Sequence, residues 1–294
     1  DTTSRRCVQA LTADESFLTQ RGGGRVEQVF SRAVNLQIPD KPGLLTLLCA
    51  AYDNAPNSCR LALTYFDNLF RPGESVRFTD SGMYIGNDKW IDLQRCERWQ
   101  MPTAVLSAAA LTRIAWRRWQ NIIIEQLHED DTLFLYRGDN PFYKAMGREL
   151  QHRRKTLFNA LRQNKNISAA IANMLGLGIG LTPSADDYLV GLSVILFING
   201  HPANQYRDEF LAALQCARHN TTPLSAITLE AAINQRYRES IAGLINLMIN
   251  QPTIFSIAAI ADIKNIGSSS GSDMLLGMAD ACALSQTYGG NYVS

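Results

Sequence analysis

The chain has 294 residues, 46% hydrophobic and 19% charged, and its 28 lysines and arginines nearly balance 27 aspartates and glutamates for a formal charge of +1. That length accommodates two cores, and the composition excludes a disordered chain. Near-neutrality argues against a general nucleic-acid binder, which carries a strongly basic face.

Residues 1–24 are polar and lack an apolar core segment, so no signal peptide is expected there. Between 26 and 100, seven short runs rich in branched and aromatic residues read as strands: 26–30, 32–36, 44–48, 60–63, 75–79, 83–85 and 89–93. Turn signals separate them, among them Pro39 to Gly43, Asn54 to Asn57, Arg71-Pro72-Gly73 and Gly86-Asn87-Asp88. Such even spacing predicts an antiparallel sheet or a small barrel.

From about residue 101 the hydrophobic period lengthens. Residues 106–128 and 141–164 read as helical, with one apolar patch at 132–136 that fits a short strand. Beyond 165 nearly everything reads as helix. Thr182-Pro183 opens one helix ending at Asn199-Gly200, Thr222-Pro223 opens a long one to about Asn250, and Ser270 opens the last to about Ser285. The apolar runs 188–198 and 241–261 are short or interrupted, so they predict buried helices and no membrane span. The expected class is α+β: a mostly β N-terminal domain, 1–100, followed by a mostly α C-terminal domain, 101–294.

The six cysteines are scattered without a CxxC pair, which predicts reduced, mostly buried thiols in a cytoplasmic protein. The four histidines stand at no metal-ligand spacing, so no structural zinc is expected.

Three helix starts share one chemistry. The first is Gly176-Leu177-Gly178-Ile179-Gly180-Leu181-Thr182-Pro183-Ser184-Ala185-Asp186-Asp187. Its alternate glycines permit left-handed backbone and close approach, Thr182 suits an N-cap, and Pro183 suits the first helical position. The second is Asn220-Thr221-Thr222-Pro223-Leu224-Ser225, with Ser225 placed to reach back to the cap. The third is Gly267-Ser268-Ser269-Ser270-Gly271-Ser272-Asp273, in which Ser270 and Asp273 fit a capping box.

Two readings stand for each start. Hydroxyls and acids at these positions satisfy capping and the helix dipole by themselves. Brought together, the same tips offer N–H and O–H donors to a small anion. In that second reading Gly178, Gly180, Thr182, Ser184, Asp186, Thr221, Thr222, Ser225, Ser269, Ser270 and Gly271 bind ligand. Asp187 or Asp273 then orients an ammonium or amide group, or holds a Mg²⁺ bridging a phosphate. Asp186 and Asp187 point about 100° apart on a helix, so one of them is expected to be structural.

Arg32 and Asn35 project from one predicted strand, toward a ligand or into the sheet's own structure. Trp116-Arg117-Arg118-Trp119 and the cluster Arg148, His152, Arg153, Arg154 and Lys155 read as solvated helix faces or a protein interface. No spacing supports a nucleophilic triad.

GLGIGLTPSADD, TTPLS and GSSSGSD together resemble the AllH/YlbF/YahE-type family of bacterial proteins, whose motifs run close to GLTPSGDD, a Thr/Ser-rich helix start and GHSSGxD. The stretch Arg32-Ala33-Val34-Asn35-Leu36 resembles it as well, and the likeness spans about residues 26–285. The resemblance implies a subunit of an oxamate carbamoyltransferase, which phosphorolyses a ureido acid, oxalurate, to oxamate and carbamoyl phosphate in allantoin nitrogen catabolism. It also implies partner subunits of the FdrA type, and it places the helix-start residues, Asp187 and Asp273 included, at the functional surface. Two departures are visible. Ala185 stands where the family has Gly, and Ser268 stands where it has His. Losing a group that titrates near neutrality keeps a second possibility open: a non-catalytic assembly or ligand-sensing subunit that binds a small anion and FdrA-type partners.

Overall fold

In the computed structural model residues 5–288 are described, and residues 1–4 and 289–294, the outer ends of the two expected domains, lie outside the described residues. One compact unit ends at Pro102 and a second begins at Thr103.

The N-terminal unit is a barrel. Its strands are β1 (Arg6–Asp14), β2 (Gly22–Val29), β3 (Ala33–Gln37), β4 (Leu44–Leu48), β5 (Ser58–Leu61), β6 (Ser75–Phe78), β7 (Gly82–Ile85), β8 (Lys89–Asp92) and β9 (Glu97–Trp99), with a one-turn helix α1 (Glu15–Leu18) after the first. Neighbours follow the order β5-β4-β3-β2-β6-β7-β8-β1-β9, and a further β5–β1 pairing closes eight strands into a ring. The closing strand is divided. Arg6 to Gln9 pair in parallel with β8, whereas Ala10 to Ala13 pair antiparallel with β5. The second part also carries β9 alongside it.

The inner cluster includes Val8, Phe17, Val34, Leu36, Leu45, Leu47, Leu61, Phe66, Met83 and Ile85, all almost wholly buried. The α+β expectation holds. Of the two expected forms, sheet or small barrel, the closed barrel is the one formed, and its pairing is not wholly antiparallel: β1–β8, β1–β9 and β4–β5 are parallel. The first and last strands were not anticipated.

In the C-terminal unit the described helices are α2 (Ala108–Arg113), α3 (Trp116–Glu125), α4 (Pro141–Gln163), α5 (Ile167–Met174), α6 (Ser184–Leu196), α7 (Arg207–Ala217), α8 (Pro223–Ile233), α9 (Glu239–Asn250), α10 (Ile257–Lys264) and α11 (Ser270–Ser285). Local chemistry sets many of their ends. Asn140 caps α4 by accepting from the Phe142 and Tyr143 amides, Pro141 follows at the first position, and Asn164 ends the helix in the left-handed region at φ 52°. α3 buries Trp116, Trp119 and Ile123 while Arg117 and Arg118 stay exposed, which is the solvated-face reading of that tetrapeptide.

Two expectations are corrected here. The patch at 132–136 forms a 3-10 turn, Leu133–Leu135, capped by Thr132, rather than a strand. The long helix expected from Thr222 to Asn250 is two helices, because Gln235 takes a left-handed φ of 62° between α8 and α9.

α6 and α11 form the centre of this unit. Every residue of α6 is buried, and nearly every residue of α11. A helix apolar all round belongs inside, not at the surface. The two approach so closely that a Cβ on Gly191 would lie 1.8 Å from the Met274 carbonyl oxygen, and one on Gly277 would lie 2.0 Å from that of Tyr188. No helix among the described residues is long and apolar enough to cross a membrane. All six cysteines are free thiols; Cys49, Cys59 and Cys282 are buried, Cys96 is half-buried, and Cys7 and Cys216 are exposed, so half rather than most are buried.

Candidate functional site

The three helix starts meet in the C-terminal unit. Thr182 and Ser270 share a hydrogen bond of 3.0 Å between their hydroxyls, joining the start of α6 to that of α11. The Thr222 hydroxyl donates to the Leu181 carbonyl at 2.5 Å, joining the start of α8. Gly176, at φ +85°, lets the α6 loop pass directly against that tip, since a Cβ there would lie 1.9 Å from the Asn220 carbonyl oxygen.

The two adjacent aspartates part as the helix geometry requires. Asp186 is engaged on every side, accepting from the Gly176 amide at 2.8 Å, the Ser225 hydroxyl at 2.6 Å and the Thr221 hydroxyl. It braces the α6 loop against the α8 tip, so Asp186, Thr221 and Ser225 are occupied with one another. Ser225 thus donates to Asp186, while its amide, not its hydroxyl, reaches the Thr222 cap at 3.2 Å.

Asp187 turns the other way, toward Asp273 of α11. Both carboxyl groups are almost wholly buried, and in each the Oδ2 atom has no hydrogen-bond partner among the described residues. Thr132 donates to Asp273 Oδ1 at 2.5 Å, and the Ser184 and Ser269 hydroxyls also contact that carboxyl. The Thr182 and Ser270 hydroxyls contact Asp187. Burial pushes the Asp273 carboxyl up to about 7 against the stabilising pull of its hydroxyl neighbours. Burial, and then the charge of Asp273, hold Asp187 well above the ordinary carboxylate range. The influence runs one way: the Asp273 charge disfavours ionisation of Asp187, while burial is what raises Asp273.

The other predicted residues fall around this centre or apart from it. Thr182 precedes the first helical turn and spans to α11; the N-cap position of α6 belongs to Pro183, without a side-chain bond. Likewise Ser269, not Ser270, takes the N-cap position of α11, and no side-chain capping box forms. Gly178, at φ +140°, leaves room only for the Ser184 amide, while Gly180 borders open space. Gly271 packs on the end of α10, where a Cβ would meet the Ile263 carbonyl oxygen at 1.9 Å. Several tip amides are bonded within the chain: Ala185 to Leu177 O, Asp186 and Asp187 to Pro183 O, and Gly271 to Ile266 O. Ala185 lies in ordinary helix, where a methyl group costs nothing, and Ser268 is exposed.

Arg32 and Asn35 belong to the N-terminal unit. Arg32 lies over the Tyr65 ring at 5.2 Å, and the buried Asn35 donates to Gln28 at 2.8 Å and accepts from Thr46 at 3.0 Å. Among the described residues no cluster of three or more His, Cys, Asp or Glu side chains could hold a metal. The Asp187–Asp273 pair and its hydroxyls are oxygen donors of the kind Mg²⁺ takes.

Thr132 was not anticipated, since its segment read as a strand. Nor was the buried network beneath the pair, in which Arg154 grips both oxygens of Asp280 at 2.7 Å and the Tyr188 hydroxyl donates to the same carboxylate.

Two family models match the chain. One, described as oxamate carbamoyltransferase subunit AllH, covers residues 174–282 and so takes in all three helix starts. The other, described as the AllH family N-terminal domain, covers residues 4–98. No solved structure matches.

Proposed function

The chain belongs to the AllH family, whose name is that of an oxamate carbamoyltransferase subunit, and from that premise we propose that it serves carbamoyl transfer between a ureido acid and phosphate, with the Asp187–Asp273 pocket touching the substrate. The observation that carries this reading is the pair of unpartnered, buried carboxyl oxygens ringed by five hydroxyl side chains. Native proteins rarely leave buried polar atoms without partners unless a ligand or a function supplies them.

The chemistry suits such a pair. In phosphorolysis a phosphate oxygen bonds to the carbamoyl carbon and the bond from that carbon to the ureido nitrogen breaks. The departing nitrogen takes up one proton and the phosphate gives one up. Two carboxyls holding a single proton can do both, one as acid and one as base, and a group titrating near neutrality is well matched to the task. The N–H groups of a ureido acid complete the two free oxygens. The convergent N-terminal ends of α6, α8 and α11 favour the negative charge of phosphate and carboxylate. In its doubly ionised form the pair would be the group to hold a Mg²⁺, which would supply charge neutralisation in place of the shared proton. FdrA-type partners complete the enzyme, in purine and allantoin nitrogen catabolism.

A second reading, an assembly or ligand-sensing subunit, draws on the tip amides bonded within the chain and on the exposed serine at 268. Purified protein assembled with FdrA-type partners separates the two. Phosphate-dependent cleavage of oxalurate that is lost in Asp187→Asn and Asp273→Asn, with assembly retained, supports catalysis by this pocket. Turnover unchanged in both variants sinks it.

A further inference from the structure

A second concave feature lies on α4, within residues 99–173, which neither family match covers. It is a cleft of about 570 Å³ between α4 and the turn at 133–135, within the size range of small-ligand pockets. Lys144, Arg148, His152 and Lys155 line it from α4, and Arg137 lines it from the segment after the turn. Their spacing puts the α4 members on one stripe, with about 16 Å of helix between the first and the last.

The stripe is not balanced. Among the described residues none of those lining the cleft is acidic. Among the described residues the side chains of Arg137, Lys144, Arg148 and Lys155 have neither an ion-pair nor a hydrogen-bond partner, although charges of both signs nearly cancel over the chain. Arg153 and Arg154, on the same helix but outside the cleft, are paired with Glu149 and Asp280. Arg162, on the same helix and also outside the cleft, lies over the Phe158 ring with no acidic partner among the described residues, so the cleft cations are set apart by converging on one concave surface rather than by being unpaired.

The floor is rigid. Gly147 lets the turn rest directly on α4, since a Cβ would lie 2.6 Å from the Leu133 carbonyl oxygen. Gln151 donates to the Phe134 carbonyl at 2.6 Å and accepts from Arg154 at 3.0 Å, which ties the cleft wall to the buried Asp280 network. The Tyr136 ring, half-buried, supplies an aromatic wall. A preformed cleft with several unneutralised cations and one aromatic side fits an elongated anion better than a single small one.

We propose that this cleft binds a small ligand bearing a pyrophosphate group, of the nucleoside diphosphate class. The cleft lining includes none of the side chains around Asp187 and Asp273, although the turn capped by Thr132 borders both, and occupancy of the cleft needs no turnover.

Calorimetric titration of the full chain with pyrophosphate, ADP and inorganic phosphate at low salt tests it. Pyrophosphate and ADP are expected to bind saturably and more tightly than inorganic phosphate. Arg148→Ala/Lys155→Ala should weaken pyrophosphate by about tenfold or more. Arg113→Ala/Arg117→Ala, which removes the same charge from exposed sites outside the cleft, should leave affinity unchanged. Absence of saturable binding, or equal affinity in the two double variants, overturns the proposal. All four substituted side chains are exposed, and a melting curve checks that each variant folds. Failure here leaves the carbamoyl-transfer reading untouched, because that reading is measured by oxalurate cleavage.

Discussion

Asp187 and Asp273, 86 positions apart in the chain, bring two carboxyl groups into one buried, hydroxyl-lined pocket, each with an oxygen that nothing in the described structure satisfies. An unfolded chain would release both protons at about pH 4, whereas the folded Asp273 holds its own to about 7 and Asp187 is raised as well. Between those limits the native state binds more protons, so stability falls as pH rises through that window. Asp273→Asn keeps an acceptor for Thr132 and removes the charge. Its thermal midpoint should exceed that of the unsubstituted protein at about pH 8, with the gap shrinking toward about pH 5. Identical midpoints at the higher pH would refute the shift.

His201 acts with the opposite sign. It is buried, its Nδ1 accepts from the Ala203 amide at 2.9 Å, and its Nε2 lies 2.8 Å from the Ser285 hydroxyl. Burial lowers it to about 4, below the usual value of about 6.5. Here the unfolded chain binds the extra proton, so stability is lost as pH falls from about 6.5 through about 4. His201→Gln retains a donor and an acceptor without a titrating ring. Its unfolding midpoint should decline less over that acid limb, even if packing against Trp116 and Tyr288 is weakened.

Removing Arg154 strands a charge. Its two bonds to Asp280 are the main compensation for a carboxylate that lies beside the Tyr188 hydroxyl. Arg154→Met should destabilise the fold by about 3–5 kcal/mol in urea denaturation, and Arg154→Met/Asp280→Leu should recover much of that. A single variant as damaging as the double one would argue against the uncompensated charge as the cause.

The crossing of α6 and α11 offers a matched pair of glycine tests. A methyl group at Gly277 would lie 2.0 Å from the Tyr188 carbonyl oxygen and 2.7 Å from the Leu192 amide. Gly277→Ala should therefore cost at least about 1–3 kcal/mol. Gly243, exposed within α9, has open space where a Cβ would stand, and Gly243→Ala should gain about 0.5–1 kcal/mol from helix propensity. Chemical denaturation of both variants checks the contrast.

How much of this was legible depended on whether the signal was local. Seven strands were readable because turn chemistry and branched residues lie next to each other in the chain. β1 was missed because its polar stretch alternates weakly and takes its meaning only from distant partners. The α8 and α9 helices were merged because nothing short-range announces the left-handed turn at Gln235. At the candidate site, the divergence of Asp186 and Asp187 followed from helical geometry alone. Thr132 and the Arg154–Asp280–Tyr188 network did not, since the contacts that define them join residues 92 to 141 positions apart.

β1 also says something about how the N-terminal unit comes into being. β1 is made before either of the partners that complete the wall. Half of it waits for residues 58–61 and half for residues 89–92, so the wall stays unzipped until nearly the whole unit has left the ribosome. Such distant pairing makes closure slow, and until then two raw sheet margins stand open to any passing strand. The seam, rather than the well-filled interior, is where a nascent chain of this protein is most exposed to mispairing.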